Sequence, residues 1–347
     1  MRITVVGAGS WGTAMAGHLA LLGHRVLLWA REAEVAEGIN ERGRNPYFLQ
    51  DVDLPRELRA TADLKESLHG AELAVMAVPS RWVREMAAEV ASHLPAGSPV
   101  LNLAKGFDPH TGKRLSVAIA EELGRDAGER VAVLSGPNHA EEVSRKVPSA
   151  TVIACPDRDL ARRLQKIFSS DYFRVYTNAD VVGVEVGGAY KNVIAVAAGV
   201  LDGLGLGDNT KASLITRGLA EMVRFGCAMG ANPVTFSGLS GVGDLIVTCI
   251  SRHSRNRGFG ERLGRGEAAA EALAGTRMVV EGALNTHLVC DMALAMGVEV
   301  PIAQGVKSLL DGKSSPTEVL RGLMTRDLKE ESEEYLYRDF LLRESPG

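Results

Sequence analysis

Three groups of residues in this chain have types and spacings that suit chemistry. The first is the run from Gly7 to Gly12, GAGSWG, which follows a short apolar stretch. The second is the glycine-rich, polar stretch 237–258, in which Asp244 is the only acid. The third is a single lysine, Lys191, in an apolar segment. These patterns indicate a phosphate-binding turn, a site for a small anion and an acid–base group.

The glycine run fits the turn between the first strand and first helix of a dinucleotide-binding βαβ unit. Gly7 would allow the tight turn, Gly9 would let the backbone approach a pyrophosphate, and Gly12 would let helix and sheet pack closely. The N–H groups that begin the helix would face the phosphates. The alternative is a glycine-rich turn without a ligand, and the order strand, turn, helix favours the dinucleotide.

The residues after the second expected strand should contact the ribose of that cofactor. Arg31 could pair with the 2′-phosphate of NADP, whereas Glu32 and Glu34 could bind a free hydroxyl, as in NAD. A surface arginine without a ligand is an equal alternative for Arg31. The pattern favours NADP, with NAD tolerated.

Lys191 is the only charged residue between Glu185 and Asp202. Burial lowers the pKa of a lysine, which would suit acid–base work near neutral pH. The alternative is a lysine whose ammonium reaches the edge of the domain. Asn192 beside it adds a polar group that helix cores seldom carry unpaired.

Two loops should lie at the ligand edge of the sheet, because each follows an expected strand. Lys105 comes after the strand at 100–103, and Gly136-Pro137-Asn138 comes after the strand at 131–134. Lys105 is a candidate substrate contact, with an ordinary loop lysine as the alternative. Gly136 would offer backbone donors at the same edge.

The run Ser254-Arg255-Asn256-Arg257 combines hydroxyl, guanidinium and amide groups just before an expected helix. Such donors, with free helix N–H groups, are what a phosphate monoester needs. The alternative is a solvated basic loop, which we prefer for Arg252 and Arg257. We expect no core helix in this stretch, because it is rich in glycine and polar residues.

The elements that position these groups fall into two halves. Before about residue 177, short apolar runs alternate with helical spacing, which indicates βαβ units and a mainly parallel sheet. After it, only helical patterns follow. We therefore predict an α/β N-terminal, Rossmann-type doubly wound sheet over residues 1–180 and an all-α C-terminal domain over 181–347. The strands are expected at 2–6, 24–29, 73–78, 100–103, 131–134, 149–154 and 173–176. The later helices are expected at 181–201, 211–229, 257–265, 280–296, 302–310 and 316–323.

Length and composition set limits on function. A chain of 347 residues exceeds one ordinary core, which supports two domains. A net charge of −4 argues against nucleic acid as a partner. Four widely spaced cysteines indicate reduced thiols in a cytosol and give no metal signature. No uncharged apolar run approaches the length of a membrane span, and a strand at residues 1–6 argues against a signal peptide.

The chain resembles the bacterial NAD(P)-dependent glycerol-3-phosphate dehydrogenase family over about residues 1–330. The resemblance rests on GAGSWGTAMA from Gly7, NLAKGF from Asn102, LSGPNHAEE from Leu134, VEVGGAYKNVIAVAAG from Val184 and GLSGVGDLIVTCISRHSRNRGFG from Gly238. The lysine-containing helix and the last stretch are specific to that family, whereas the glycine motif alone is not.

The resemblance implies roles for individual residues. Lys191 is implied as the general acid/base, with Lys105 and Asp244 as its partners at the substrate. The implied cofactor contacts are Gly7, Gly9, Ser10, Trp11, Gly12, Arg31, Lys105, Ala140, Arg255, Val279 and Glu281. The implied substrate contacts are Lys105, Gly136, Asn138, Lys191, Asp244, Ser254, Arg255 and Asn256.

One departure from the family pattern concerns the residues after Gly136-Pro137. The family usually has a small hydroxyl residue followed by phenylalanine there, and this chain has Asn138-His139. An amide can still donate and accept hydrogen bonds. We therefore keep Asn138 as a weaker substrate contact.

The resemblance implies a cytoplasmic enzyme that interconverts dihydroxyacetone phosphate and sn-glycerol 3-phosphate with NADP or NAD, supplying glycerol phosphate for phospholipid synthesis. The phosphate would bind Arg255 and Asn256, and Lys191 would protonate the C2 oxygen, a step worth about 10²–10⁴-fold. The expected partner is a small phosphate substrate, with no nucleic acid, membrane span or metal. Apolar faces in the helical half are compatible with a homodimer.

Two other functions stay open. A dehydrogenase of the same architecture could bind the carboxylate of a hydroxy acid through Arg255, although the compact Ser-Arg-Asn cluster favours a phosphate. A non-catalytic NAD(P)-binding sensor is the second, and the retention of both Lys105 and Lys191 argues against it.

Overall fold

The computed structural model describes residues 1–124, 127–276, 279–328 and 330–331 of the chain. The chain divides into two compact units, Met1–Val181 and a second that begins at Val182. The expected second domain, 181–347, therefore extends beyond the described residues.

The first unit is built on one sheet of eight strands. They are β1 (Arg2–Val6), β2 (Arg25–Trp29), β3 (Arg59–Thr61), β4 (Leu73–Met76), β5 (Val100–Asn102), β6 (Val131–Ser135), β7 (Ser149–Ala154) and β8 (Phe173–Asn178). Their spatial order is β3-β2-β1-β4-β5-β6-β7-β8. All neighbours are parallel except β6 and β7. The predicted α/β class with a mainly parallel sheet is confirmed.

The central strands of this sheet, β1, β4, β5 and β6, are buried on both faces. Ile3 and Leu73 pack in a core with residues of the first and seventh helices, whereas Val6 and Ala74 pack in a second core with residues of the fourth and fifth. Strands covered on both sides read as continuous apolar runs, which made β1 and β4 predictable. The helices are α1 (Ser10–Leu21), α2 (Ala33–Arg42), α3 (Leu64–Leu68), α4 (Val83–Ala91), α5 (Leu115–Leu123), α6 (Ala140–Val143) and α7 (Arg158–Phe168).

The strand order reverses between β1 and β4. In open α/β sheets, ligands bind beyond the carboxyl ends of the strands at such a switch point. The glycine run follows β1, Lys105 follows β5, and Gly136 follows β6, so all three leave the sheet at that edge.

The described residues of the second unit form helices and no strand, which confirms the predicted all-α half. The α-helices are α8 (Val181–Gly203), α9 (Asp208–Ala228), α10 (Asp244–Ile250), α11 (Arg255–Gly264), α12 (Ala269–Ala274), α13 (Glu281–Met296), α14 (Pro301–Leu310) and α15 (Pro316–Met324).

The expectation that the stretch 237–258 contains no core helix is wrong. A π-helical turn spans Leu239–Gly243, and α10 then buries Asp244, Leu245 and Thr248. The glycines lie in the turn, at residue 238 just before it and at residue 258, and the residues of α10 have the apolar spacing of a helix. Average composition over the whole stretch concealed this boundary.

Helices α8 and α11 approach closely through glycine. A Cβ on Gly199 would lie 1.9 Å from the carbonyl oxygen of Arg257, and a Cβ on Gly260 would lie 2.0 Å from that of Val196. Only glycine permits backbones to approach so closely. This contact helps to bring the N-terminus of α11 beside the segment of α8 that carries Lys191.

Helix α8 has the length and apolar composition of a membrane-spanning helix, although no such span was expected from the sequence. Of its most apolar window, 89% is buried inside the protein. The core helix of a folded domain can have the same length and composition, and its burial identifies α8 as a core helix.

Candidate functional site

The glycine turn after β1 has the geometry that a dinucleotide site requires. Gly7 has φ +112°, and a Cβ there would lie 2.9 Å from the carbonyl oxygen of Ala77. A Cβ on Gly12 would lie 1.9 Å from the carbonyl oxygen of Gly7, whereas a Cβ on Gly9 would meet nothing within 4 Å. The turn is therefore tight against the sheet and open at Gly9, where a phosphate could approach.

Asn45 holds this turn in place, and the sequence reading did not identify it. Its side chain is buried, and Nδ2 donates to the carbonyl oxygen of Ala8 and to Oγ1 of Thr13, both at 2.9 Å. Its Oδ1 accepts from the N–H groups of Tyr47 and Phe48 at 3.0 Å. The only sequence signal was an Asn-Pro turn, which does not reveal partners more than 30 residues away.

The start of α1 offers donors that suit a bound anion. Ser10 opens the helix, and no side chain caps its N-terminus among the described residues. The indole Nε1 of Trp11 is buried and makes no hydrogen bond within the described part of the chain. Because a buried, unpaired N–H is costly, this group fits a cofactor that supplies an acceptor. Ser10 and Trp11 would thus hold the cofactor together with the three glycines.

Arg31 and Glu32, which point to different cofactors, pair with each other. Nε and Nη2 of Arg31 donate to Oε1 of Glu32 at 2.9 and 2.6 Å, and the Arg31 side chain is 76% exposed. Glu34 accepts from the hydroxyl of Tyr47. A 2′-phosphate at this position would compete with Glu32 for the guanidinium.

The structure brings Lys105, Gly136 and Asn138 together. Nζ of Lys105 donates to the carbonyl oxygen of Gly136 at 3.0 Å and to Oδ1 of Asn138 at 3.2 Å. Gly136 has φ +138°, a conformation that favours glycine. The carbonyl oxygen of Gly136 is thus an acceptor for Lys105, and donation by its N–H group stays a prediction.

Ala140 follows this loop as the first residue of α6 and is buried. No side chain caps this short helix in the described chain. Ala140 therefore lies at the same edge of the sheet as Gly136, which is where the cofactor role was expected.

Lys191 and Asp244 form a buried ion pair in the second unit. Nζ of Lys191 donates to Oδ1 of Asp244 and, at 2.8 Å, to Oγ1 of Thr248. The two charged side chains are only 7% and 2% exposed, so the alternative of an ammonium at the domain edge does not hold. Burial disfavours the charged form of a lysine, whereas the neighbouring carboxylate favours it. The sequence of α8 alone does not reveal this carboxylate.

Close backbone packing places Asp244 at this lysine. A Cβ on Gly187 would lie 2.4 Å from the carbonyl oxygen of Ser240, and a Cβ on Gly241 would lie 2.0 Å from that of Phe236. The π-helical turn thus lies directly on α8, and α10 begins with its acid facing Lys191.

The N-terminus of α11 lies next to the lysine helix. The Ser254 hydroxyl oxygen caps α11 by accepting from the N–H of Arg257 at 3.2 Å. Asn256 is buried, and its Nδ2 donates to Oδ1 of Asn192 at 2.8 Å. The Arg255 side chain is exposed. This end of the helix therefore combines a cation, early helix N–H groups and a link to α8.

The start of α13 adjoins the same asparagine. The N–H of Gly282 donates to Oδ1 of Asn256 at 2.8 Å. Val279 and Glu281 are half-buried beside it. Asn256 thus joins α8, α11 and α13, a role that its place in the SRN motif did not suggest.

The prediction that Arg257 belongs to a solvated loop is wrong. This residue lies in α11, and its guanidinium pairs with Asp202 at 2.6 Å and with Glu261 at 3.4 Å. Asp202 also accepts from Lys211. Arg257 is a structural ion-pair partner inside the unit.

Among the described residues, no group of three His, Cys, Asp or Glu side chains could hold a metal ion.

The chain matches two family profiles that together span most of its length. The profile for the N-terminus of NAD-dependent glycerol-3-phosphate dehydrogenase matches residues 2–161. The profile for the C-terminus of the same family matches residues 180–321.

Individual relatives agree with these profiles. A glycerol-3-phosphate dehydrogenase [NAD(P)+] of Pelotomaculum thermopropionicum is 46% identical over 96% of this chain and 95% of its own. One of Geobacillus kaustophilus is 48% identical over 96% and 97%. The crystal structure of glycerol-3-phosphate dehydrogenase from Coxiella burnetii superposes with a TM-score of 0.88, at 36% identity, over 93% of this chain and 98% of that one. The chain belongs to the NAD-dependent glycerol-3-phosphate dehydrogenase family.

Proposed function

We propose that this protein interconverts dihydroxyacetone phosphate and sn-glycerol 3-phosphate by hydride transfer with NADP or NAD. The observation that carries this proposal is the buried cluster of Lys191, Asp244 and Thr248. The next residue of α8, Asn192, accepts a hydrogen bond from Asn256 of α11. An acid–base group and an anion site are thereby built into one rigid framework. The relatives' name, glycerol-3-phosphate dehydrogenase [NAD(P)+], supports the same reaction.

We assign most of the cofactor contacts to the first domain, 1–180, and the acid–base group and most of the substrate contacts to the second, 181–347. The bound nicotinamide supplies the hydride for C2. The residues proposed to hold the cofactor are Gly7, Gly9, Ser10, Trp11, Gly12, Arg31, Lys105, Ala140, Arg255, Val279 and Glu281.

The protein side of the mechanism centres on the C2 oxygen. In the reductive direction this oxygen gains negative charge, which the Lys191 ammonium stabilises and then neutralises by donating a proton. Asp244 and Thr248 orient Nζ, so that the proton donor does not need to be arranged during the reaction. Lys105 adds positive potential.

The substrate phosphate is proposed to bind at the N-terminus of α11. Arg255 pairs with the phosphate, and the N–H groups of Arg255 and Asn256 donate to it, since the first N–H groups of a helix lack intrahelical partners. The side chains of Ser254 and Asn256 hold this end of the helix, because their oxygens already accept from backbone N–H groups. Gly136 and Asn138 are proposed substrate-side residues of the first domain.

Three further expectations accompany this function. NADPH is the favoured cofactor, because Arg31 is exposed at the end of β2. None of the four cysteines, all of which lie in the described residues, forms a disulfide, which fits a cytoplasmic location. A homodimer is proposed for the helical domain. Light scattering would test the last, with a mass of one chain contradicting it.

The reaction is tested by following oxidation of NADPH and of NADH with purified protein and dihydroxyacetone phosphate. Fast oxidation is expected with this substrate and little with a 2-keto acid. Turnover of the keto acid alone would favour a hydroxy-acid dehydrogenase. Binding of cofactor by folded protein without turnover on either would contradict the proposed enzyme.

A further inference from the structure

Asn138 lies between Lys105 and a buried threonine of β7. Its Oδ1 accepts from Nζ of Lys105 at 3.2 Å, and its Nδ2 donates to Oγ1 of Thr151 at 2.9 Å. Thr151 is fully buried, and its hydroxyl donates to the carbonyl oxygen of Ser135 at 2.8 Å. A continuous chain of hydrogen bonds thus runs from strand β6 to the Lys105 ammonium.

The direction of this chain is determined by the donors. A threonine hydroxyl has one proton, and Thr151 gives it to Ser135, so Oγ1 can only accept from its other neighbour. The Asn138 amide must therefore turn its NH₂ group toward Thr151. Its carbonyl oxygen then faces Lys105. The opposite orientation would place two donors, the NH₂ group and the ammonium, face to face.

We propose that Asn138 is a positioning residue for Lys105 and that Thr151 fixes the orientation of its amide. This inference replaces the weaker reading of Asn138 as a direct substrate contact, and it rests on the role proposed for Lys105. The lysine stem is flexible, and two carbonyl oxygens, those of Gly136 and Asn138, hold its ammonium at one place.

The amide is suited to this position by its two different ends. A small hydroxyl residue at this position would have one oxygen with which to bind both neighbours. Asparagine accepts from the ammonium with one atom and donates to the threonine with another. The departure at position 138 is therefore matched to the threonine at position 151.

The test combines substitutions at the two ends of the chain. Asn138→Ala removes the amide, and Thr151→Val keeps the shape of the side chain while it removes the hydroxyl. Each should raise KM for dihydroxyacetone phosphate about tenfold, the effect of one lost hydrogen bond to a charged group. The double variant should be no worse than the poorer single one, because both act through the same amide. Thr151→Ser should restore KM.

Controls separate positioning from general damage. Ser149→Ala removes another hydroxyl from β7, where Ser149 donates to the carbonyl oxygen of Val147, and should leave KM unchanged. The dissociation constant of NADPH and the melting temperature should change little in Asn138→Ala. If Thr151→Val fails to fold, the pair Asn138→Ala and Lys105→Met still decides the question, since Asn138→Ala should have no further effect once Lys105 is methionine.

The outcomes distinguish this inference from the function on which it rests. A wild-type protein that does not reduce dihydroxyacetone phosphate contradicts the proposed function. Unchanged KM and kcat in Lys105→Met contradict the role of that lysine, and the inference with it. If Lys105→Met is impaired while Asn138→Ala is normal, or if the Asn138 and Thr151 effects multiply, the positioning role is wrong.

Discussion

Replacement of Asp244 by asparagine tests the buried ion pair most sharply. The substitution keeps the shape of the side chain but leaves the ammonium of Lys191 buried without its counter-charge, with Thr248 as a neutral partner. Breaking a buried pair in this way costs about 3–5 kcal/mol when the remaining charge persists. Because Lys191 can avoid that cost by losing its proton, the substitution should favour the neutral lysine.

The effect on catalysis follows from that cost. Because the cost falls on the charged lysine alone, the ammonium should lose its proton at lower pH than in the wild type. Reduction requires the protonated lysine, and the rate is lost as pH rises through its ionisation. In Asp244→Asn that loss should begin at lower pH than in the wild type, with a lower kcat near neutral pH.

The assay is kcat for reduction of dihydroxyacetone phosphate as a function of pH, at saturating NADPH. The matched control is Asp202→Asn, which removes a partly buried carboxylate that pairs with Lys211 and Arg257 in the same unit. That variant should keep the wild-type profile. A folded Asp244→Asn protein with an unshifted profile and normal kcat would refute the role of the ion pair.

Three further predictions concern the fold and the cofactor. Gly9→Ala should fold normally, because its Cβ meets nothing within 4 Å, but should bind NADPH more weakly, as titration calorimetry would show; unchanged affinity would contradict the phosphate site. Burial lowers the pKa of His18 below 6.5, so the unfolded chain takes up a proton first as pH falls. The unfolding free energy should therefore be constant in this respect above about pH 6.5 and should decrease at lower pH by up to about 1.4 kcal/mol per pH unit. Urea titrations at several pH values should show a weaker dependence of that free energy on pH in His18→Gln. Gly199→Ala should destabilise the protein by more than about 2 kcal/mol, because the new Cβ would lie 1.9 Å from a backbone oxygen, whereas Gly258→Ala, with open space around it, should not; equal melting temperatures would contradict the close helix contact.

Periodic, buried elements were predictable from the sequence. Strand β1 matches its expected bounds, Arg2–Val6, because both of its faces are covered and its residues form a continuous apolar run. Strand β3 (Arg59–Thr61) was missed, since three residues with exposed Arg59 carry no apolar period. Helix α10 was missed because its glycine-rich neighbours dominated the composition.

The sequence indicated which residues belong to the site, because of their chemical types, but it did not indicate their hydrogen-bond partners. Lys191 stood out because it is a lone charge in an apolar helix, but its acceptor Asp244 is 53 positions away. Asn256 was selected as a substrate contact, while its partner Asn192 is 64 positions away in the chain. Asn45 carried only a turn signal. Hydrogen-bond partners of this kind are set by tertiary packing, which one sequence does not reveal.

The proposed mechanism depends on Lys191 as the proton donor for reduction of a phosphorylated ketone. The most direct measurement is kcat with dihydroxyacetone phosphate and NADPH for the wild type and for Lys191→Met, with the NADPH dissociation constant of both. Active wild-type protein is expected, with a loss of about 10²–10⁴-fold in kcat for the variant and retained cofactor affinity. Near-normal turnover in a folded Lys191→Met protein would contradict it.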